Sequence, residues 1–177
     1  RVYVTPNSAE PYTLDANVVL LATGGSPRKL PTAPPDGERI LTWQQLYELP
    51  ELPSELVIVG SGVTGAEFAS AYQAMGSHVT LISSRDRLMP QEDADAANVI
   101  AEVFAKRGMT IVPNARATAV RRTPSGVVVE LADGRTVTGS HALIAVGSVP
   151  NVTDLGLDAL GVAQGPGGHI RVGQVSR

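Results

Sequence analysis

The chain contains no cysteine. That absence excludes an internal disulfide, a C-x-x-C redox pair and any thiolate metal site. Its three histidines, His78, His141 and His169, are scattered through strand-like stretches and share no metal-ligand spacing, so no metal site is expected. No apolar run approaches the ~20 residues that span a bilayer as a helix, and no secretory signal is visible. Net charge is −3 with no basic stripe, which does not suggest nucleic acid as a partner. No Ser/His/Asp set is built around a nucleophile elbow, and neither a low-complexity tract nor a solenoid period appears. What is present is a chain of 177 residues, 43% of them hydrophobic, enough for a real core in one ordinary domain, or one domain plus pieces of another. It opens on Arg1 and stops in mid-pattern at Ser176-Arg177, and so reads as an excised segment.

The most informative stretch runs from Leu56 to Glu67. The apolar run Leu56-Val57-Ile58-Val59 leads into Gly60-Ser61-Gly62-Val63-Thr64-Gly65, and a helical pattern begins inside that motif. This is G-x-G-x-x-G in the context that gives it meaning, strand then turn then helix. Gly60 permits a tight turn, Gly62 lets a pyrophosphate approach the backbone, and Gly65 lets helix and strand pack closely. The first amides of the helix have no intrahelical partner and carry the positive end of its dipole, so phosphate is their natural occupant. The fully apolar strand suits a parallel sheet covered on both faces. Phe68, Tyr72 and Met75, with Ala69 and Ala71 beside them, would bury one side of the helix. Gly76 would cap it, and His78–Ile82 would return as a second parallel strand, completing a βαβ unit.

On either side the pattern is more varied. Arg1–Thr5 alternates like a strand, and Asn17–Thr23 reads as a strongly apolar strand ending at Gly24. Four prolines and Asp36-Gly37 make residues 26–37 a stiff connector. Thr42 can cap a short helix that buries Trp43, Leu46 and Tyr47, and Pro50 and Pro53 end it. Asp93 or Asp95 can start a further helix that ends at Gly108, with a buried stripe of Val99, Ile100, Val103 and Phe104 and a surface pair Glu102–Lys106. Met109–Val112 is a short strand. Ala115–Arg122, Val127–Leu131 and Arg135–Val137 then follow as an antiparallel meander, turning at Pro124-Ser125-Gly126 and Asp133-Gly134. His141–Val146 is one more apolar strand, and the loop-rich tail holds one expected strand at His169–Val172. The fold class expected is α/β, a Rossmann-like parallel sheet with an antiparallel meander in a three-layer ββα arrangement.

Four ordered motifs now coincide: Ala22-Thr23-Gly24 with Pro27-Arg28; Gly60, Gly62, Gly65 and Glu67; the meander; and Ala145-Val146-Gly147-Ser148-Val149-Pro150-Asn151 followed by Leu155-Gly156-Leu157. Together they resemble the flavoprotein (pyridine nucleotide) disulfide oxidoreductases, the dihydrolipoamide dehydrogenase and glutathione reductase group. The resemblance covers essentially the whole chain. It implies that residues 38–150 form an NAD(P)-binding domain inserted into an FAD-binding domain, of which 1–37 and 151–177 are fragments. The catalytic cysteine pair, most of the FAD site and a dimerisation domain would lie outside this chain. The resemblance also implies a cytoplasmic, homodimeric parent that moves hydride from NAD(P)H to FAD and on to a quinone or a disulfide. In this segment no residue is catalytic, and by itself it should not turn over. A dihydrolipoamide dehydrogenase parent is the same-class alternative, and a non-catalytic dinucleotide-binding or sensing module the alternative from another class.

The expected cofactor contacts are Gly60, Ser61, Gly62, Val63, Thr64 and Gly65 for the diphosphate. An NAD-specific site carries an acid at the end of the second strand, and here Ser83-Ser84-Arg85 follows Ile82. Two hydroxyls and a guanidinium accept an adenosine 2′-phosphate that a carboxylate would repel, so NADPH is expected with NADH tolerated. Relatives that use NADPH place their first arginine one position earlier and a second basic residue where Pro90 stands. A solvated charged loop is the lesser alternative for Arg85 and Arg87, and Asp86 could pair locally with an arginine. The resemblance puts Glu67 near the nicotinamide and flavin edge, although a carboxylate early in a helix is favoured by the dipole alone. It puts Val63 where some relatives have an aromatic gate, Ala117 against the adenine, Thr23 and Gly24 close to FAD, and Gly147 beside the dinucleotide. Ser148 stands where most relatives carry arginine, which removes a positive charge near the cofactor. These departures at Ser83-Ser84-Arg85 and Ser148 look most like an actinobacterial NAD(P)H quinone reductase branch. Asn151-Val152-Thr153 fits the glycosylation pattern but falls inside the family motif, and it is not read as a glycosylation site.

Overall fold

The computed structural model describes residues 1–174. Three short strands come first, β1 (Val2–Val4), β2 (Tyr12–Leu14) and β3 (Gly25–Pro27). Then follow β4 (Ile40–Leu41), α1 (Trp43–Tyr47), β5 (Glu55–Val59), α2 (Val63–Met75), β6 (His78–Ile82), α3 (Ala94–Lys106) and β7 (Thr110–Val112). The meander is β8 (Ala117–Thr123), β9 (Gly126–Leu131) and β10 (Thr136–Gly139), after which come β11 (His141–Ile144) and β12 (Ser148–Pro150).

At the centre lies a five-stranded, wholly parallel sheet in the order β4-β11-β5-β6-β7. Side chains alternate across it. Leu56, Ile58, Leu81 and Leu143 face the helical layer, where they meet Ala66, Phe68, Ala69, Tyr72 and Phe104. Val57, Val59, Ile82, Ala142 and Ile144 face the other way, onto Val120, Val127, Val129 and Leu131 of the meander. With both faces covered, the strands are continuous apolar runs, and the layers are helices, parallel sheet and meander, as the sequence predicts.

The caps also fall where expected. Thr42 and Gln45 form a reciprocal capping box at α1, and Asp93 caps α3 through the Ala96 amide at 3.0 Å. Gly76 ends α2 in the left-handed conformation, and Glu102 and Lys106 pair at 3.8 Å.

Several expectations need correction. Asn17–Thr23 is not a strand: residues 17–24 are irregular, and Val18 and Leu20 are 85% and 87% exposed. A strand needs a ladder partner, and none of the described segments pairs with this one. His169–Val172 contributes a single bridge, Ile170 to Gln164, in place of a strand. Val99 points to solvent because it lies about 200° round the helix from the buried Ala97. Met75, next to the cap of α2, lies beyond the buried stripe of that helix, and Ala71 is also exposed. Tyr47 is exposed too. One residue on from the buried Leu46, its ring rests on Phe68 with centroids 5.3 Å apart. The last residues of the expected third segment, 175–177, lie outside the described residues.

Candidate functional site

Parallel pairing delivers the carboxyl ends of β5, β6 and β11 to one edge of the sheet, the position where α/β sheets bind ligands. The three glycines of the motif meet different surroundings there. Gly60 has φ +114, and a Cβ on it would run into the Ala145 carbonyl. A Cβ on Gly65 would overlap the Gly60 carbonyl oxygen, so turn and helix pack backbone on backbone. Gly62, the N-cap of α2, has φ −66 and ψ −179, which any residue adopts, and nothing lies within 4 Å of where its Cβ would stand. Neither backbone conformation nor packing requires glycine at 62. No side chain caps α2, and its first intrahelical bond runs from the Ala66 amide to the Gly62 carbonyl at 3.0 Å. The amides of Val63, Thr64 and Gly65 precede that bond and are left for a ligand.

Two clefts meet at this edge. One, of about 340 Å³, is lined by Gly60–Val63, Ser84, Arg85 and Gly147 among others. The second, of about 450 Å³, is lined by Leu30, Thr32, Ala115, Arg116 and Ala117 among others. They share Gly60, Ser84 and Val146 as wall residues, so they adjoin along the sheet edge as two halves of one channel-like groove.

Ser83 lies beneath that channel and is wholly buried. Its hydroxyl accepts from the Ser61 hydroxyl at 2.7 Å and from the Arg85 amide at 3.1 Å, and it donates to the carbonyls of Arg85 and Arg87 at 3.0 and 3.2 Å. Of the two hydroxyls expected to face a phosphate, this one is therefore occupied inside the protein, and Ser84 is the one on the cleft wall. Ser61 also accepts the Met89 amide on its carbonyl at 2.7 Å, which ties the loop after β6 to the Gly-rich turn. Arg87 is held by the carbonyls of Pro90 and Glu92 at 3.1 and 3.4 Å. Arg85 has no ion pair among the described residues, and Asp86 pairs with neither arginine.

The groups whose ionisation is shifted most clearly lie elsewhere. Asp36 and His141 sit at the amino end of the sheet. Burial raises the Asp36 carboxyl, but donation from the Glu38, Ile40 and Arg39 amides, with the nearby Arg122, outweighs it and holds the group below its usual value. His141 is lowered by burial and by Arg39, with Asp36 opposing.

A sequence model described as pyridine nucleotide-disulphide oxidoreductase matches residues 1–177. The chain belongs to this family. It is 54% identical over its full length to an NAD(P)H dehydrogenase (quinone) of Mycobacterium tuberculosis, of which it covers 36%. It is 34% identical over 166 residues, 92% of its length, to a dihydrolipoyl dehydrogenase of Zymomonas mobilis, again covering 36% of the relative. The crystal structure of LpdA from M. tuberculosis matches 99% of the chain with a TM-score of 0.86 at 54% identity, and the chain covers 38% of it. The chain thus spans little more than a third of the length of these relatives.

The remaining family positions separate into groups. Thr64 and Gly24 line a different cleft, with Trp43, Phe68, Ser148 and His169. Thr23 and Gly24 are zipped to Asn151, whose side chain donates to the Thr23 carbonyl at 3.1 Å and whose amide donates to that of Gly24 at 3.0 Å. Glu67 is the fifth residue of α2, beyond its first turn, exposed, and on the wall of a third groove with Leu46, Pro53 and Phe68. The structure does not bring it to the Gly60–Val63 cleft. Gly147 is on the first cleft and Ala117 lines the second.

Two cations to which the sequence reading gave no role at this edge stand beside it. Arg28 donates its amide to the Gly147 carbonyl at 2.9 Å and its guanidinium to the Ser148 carbonyl at 3.4 Å, so positive charge remains beside Ser148 after all. Arg116 enters the channel from just before β8. Its signal was a lone cation next to Ala117.

Proposed function

We propose that this chain is the NAD(P)H-binding domain, with flanking FAD-domain segments, of a flavin-dependent oxidoreductase that passes electrons from NAD(P)H to a quinone or a disulfide. Residues 38–150 are the nucleotide domain in this reading, and 1–37 and 151–177 belong to the FAD domain. One observation carries it: Gly62 occupies an ordinary backbone conformation with open space where its side chain would be. A glycine where the protein itself demands none leaves the backbone open to a ligand that approaches closely. Open helix amides beside it suit a diphosphate.

The roles follow from position. The Gly60–Gly65 turn holds the diphosphate, Ser84 and Arg85 stand where the adenosine 2′-phosphate of NADPH would arrive, and Ala117 offers backbone to the adenine. NADPH is preferred and NADH tolerated, because no carboxylate occupies the end of β6. Reduced nicotinamide supplies a hydride that a flavin accepts, and this chain contributes grip and orientation. Toward the flavin it holds the Thr23-Gly24 turn, with Glu67 on the neighbouring wall. The exposed Val18 and Leu20 support a surface that the rest of the FAD domain covers. A cytoplasmic homodimer belongs to the same reading, and the relative named NAD(P)H dehydrogenase (quinone) favours a quinone acceptor.

The test is a titration of the chain with NADPH, NADH and FAD, repeated with Gly62→Val. The native chain should bind NADPH more tightly than NADH and FAD little. The variant should stay folded, with at most the loss of roughly 1 kcal/mol that a poor N-cap residue costs, yet bind both nicotinamide coenzymes at least ~10-fold more weakly, as the loss of a charge-assisted hydrogen bond implies. Unchanged affinity in Gly62→Val would overturn the proposal.

A further inference from the structure

The NADPH preference proposed above rests on one loop, yet the structure pairs that loop with a second chain segment. Residues 83–85 and 112–115 are stitched by three backbone bonds: Ser83 amide to Val112 carbonyl at 2.9 Å, Ala115 amide to Ser83 carbonyl at 2.8 Å, and Asn114 amide to Arg85 carbonyl at 2.9 Å. These bonds hold the two segments together, and Ser84 and Arg116 line the same cleft. The Ala132 amide, donating to the Arg116 carbonyl at 2.9 Å, fixes the same residue to the meander.

The local charges sharpen this placement. On the facing strand and its turn, Glu130 is paired with Arg121 and Asp133 with Arg135, each at 2.7 Å. Arg122 is taken up by Glu38 at 2.6 Å and by Asp36 at 3.7 Å. Arg87 is committed to backbone carbonyls. Around the channel this leaves Arg85 and Arg116 with neither an ion pair nor a side-chain hydrogen bond among the described residues. Arg85 lines the cleft on one side of Ser84, Arg116 lines the cleft on the other, and Ser84 is wall to both.

Resting on the reading of this channel as an NAD(P)H site, we infer that Arg116 is the second cation for the adenosine 2′-phosphate, closing with Arg85 on an anion bound at Ser84. The second basic residue missing from the loop itself, where Pro90 stands, is supplied from the segment after β7. Two guanidiniums on separately anchored segments form a clamp whose spacing is set by the backbone bonds between them. Arg116 is thus a specificity-determining residue that discriminates by the presence of the 2′-phosphate and is indifferent to the nicotinamide end.

The experiment is calorimetric titration of the full chain, native, Arg116→Ala and Arg116→Gln, with four ligands: NADPH, NADH, adenosine 2′,5′-bisphosphate and AMP. In both variants the two 2′-phosphorylated ligands should lose about 10-fold in affinity, while NADH and AMP change less than about 2-fold. Equal losses for phosphorylated and unphosphorylated ligands would mean that Arg116 stacks on adenine, and would overturn the inference. So would native affinities in both variants. A native chain that binds neither NADPH nor NADH refutes the cofactor reading itself, an outcome distinct from either of these. Arg116 is exposed and has no side-chain partner, so both variants should keep the native unfolding temperature.

Discussion

Replacing Ser83 with alanine should loosen the channel without touching its surface. The hydroxyl is buried and satisfies three neighbours: it accepts from Ser61 and from the Arg85 amide, and it donates to the carbonyls of Arg85 and Arg87. Ser83→Ala leaves the hydroxyl of Ser61, a residue only 6% exposed, without its acceptor, and leaves the Arg85 amide without its side-chain partner. An unsatisfied buried polar group costs about 1–3 kcal/mol. Two such groups, one able to recruit water at the loop, give about 2–3 kcal/mol. For a chain of this size that is a fall in Tm of roughly 4–12 °C. Thermal unfolding followed by circular dichroism measures it, and hydrogen exchange at the Arg85 amide should accelerate. A double cycle with Ser61→Ala should return a coupling of at least ~0.5 kcal/mol, as for residues in direct contact. A loss below ~0.5 kcal/mol in Ser83→Ala, with Arg85 still protected, would refute the view that this hydroxyl organises the loop.

Three further outcomes follow from the same geometry. Gly65→Ala drives a Cβ into the Gly60 carbonyl oxygen and should destabilise by ~3 kcal/mol or more, seen in denaturant unfolding or as loss of soluble protein. Arg85→Ala should weaken NADPH about 10-fold and NADH less than about 2-fold in fluorescence titrations; unchanged discrimination would return Arg85 to the role of a solvated surface charge. Asp36 is lowered in the folded state, so its contribution is complete above the usual carboxylate value of ~4 and is lost as pH falls through the folded value. His141 is also lowered, which adds a loss of stability as pH falls below ~6.5. Stability against pH should therefore be flat between ~7 and ~9 and decline on the acid side, and Asp36→Asn should shrink the part of that decline below ~4.

The layers were legible because each rests on a local rule. Leu56-Val57-Ile58-Val59 is apolar throughout because both its faces are covered, and Thr42, Asp93 and Gly76 are caps whose chemistry is written in one residue. The Gly-rich turn was legible for the same reason. What escaped depended on partners distant in sequence. Val18-Val19-Leu20-Leu21 has the composition of a strand, but pairing is a property of two segments and the second is not among the described residues. Ser83 reads as a surface ligand by its place after Ile82, yet the bond that decides its role comes from Ser61, 22 residues earlier. Arg116 is 31 residues beyond Arg85 in sequence, and only the structure shows that backbone bonds join the segments 83–85 and 112–115 that lead to them.

These bonds give the diphosphate turn and the loop after β6 a common anchor. Ser61 stands between Gly60 and Gly62, and it reaches the loop twice, by hydroxyl to Ser83 and by carbonyl to the Met89 amide. Met89 takes a positive φ of 42 to make that contact, an uncommon conformation for a side-chain-bearing residue and one that surrounding structure must hold in place. On the proposed reading, a diphosphate on the turn and a 2′-phosphate at the loop that carries Arg85 would act on elements that these bonds join. Coupling of this kind is reciprocal in free energy. Under the NADPH reading proposed above, the preference over NADH is therefore expected to weaken in Ser61→Ala and Ser83→Ala, which remove two hydroxyls bonded to each other, as well as in the arginine variants.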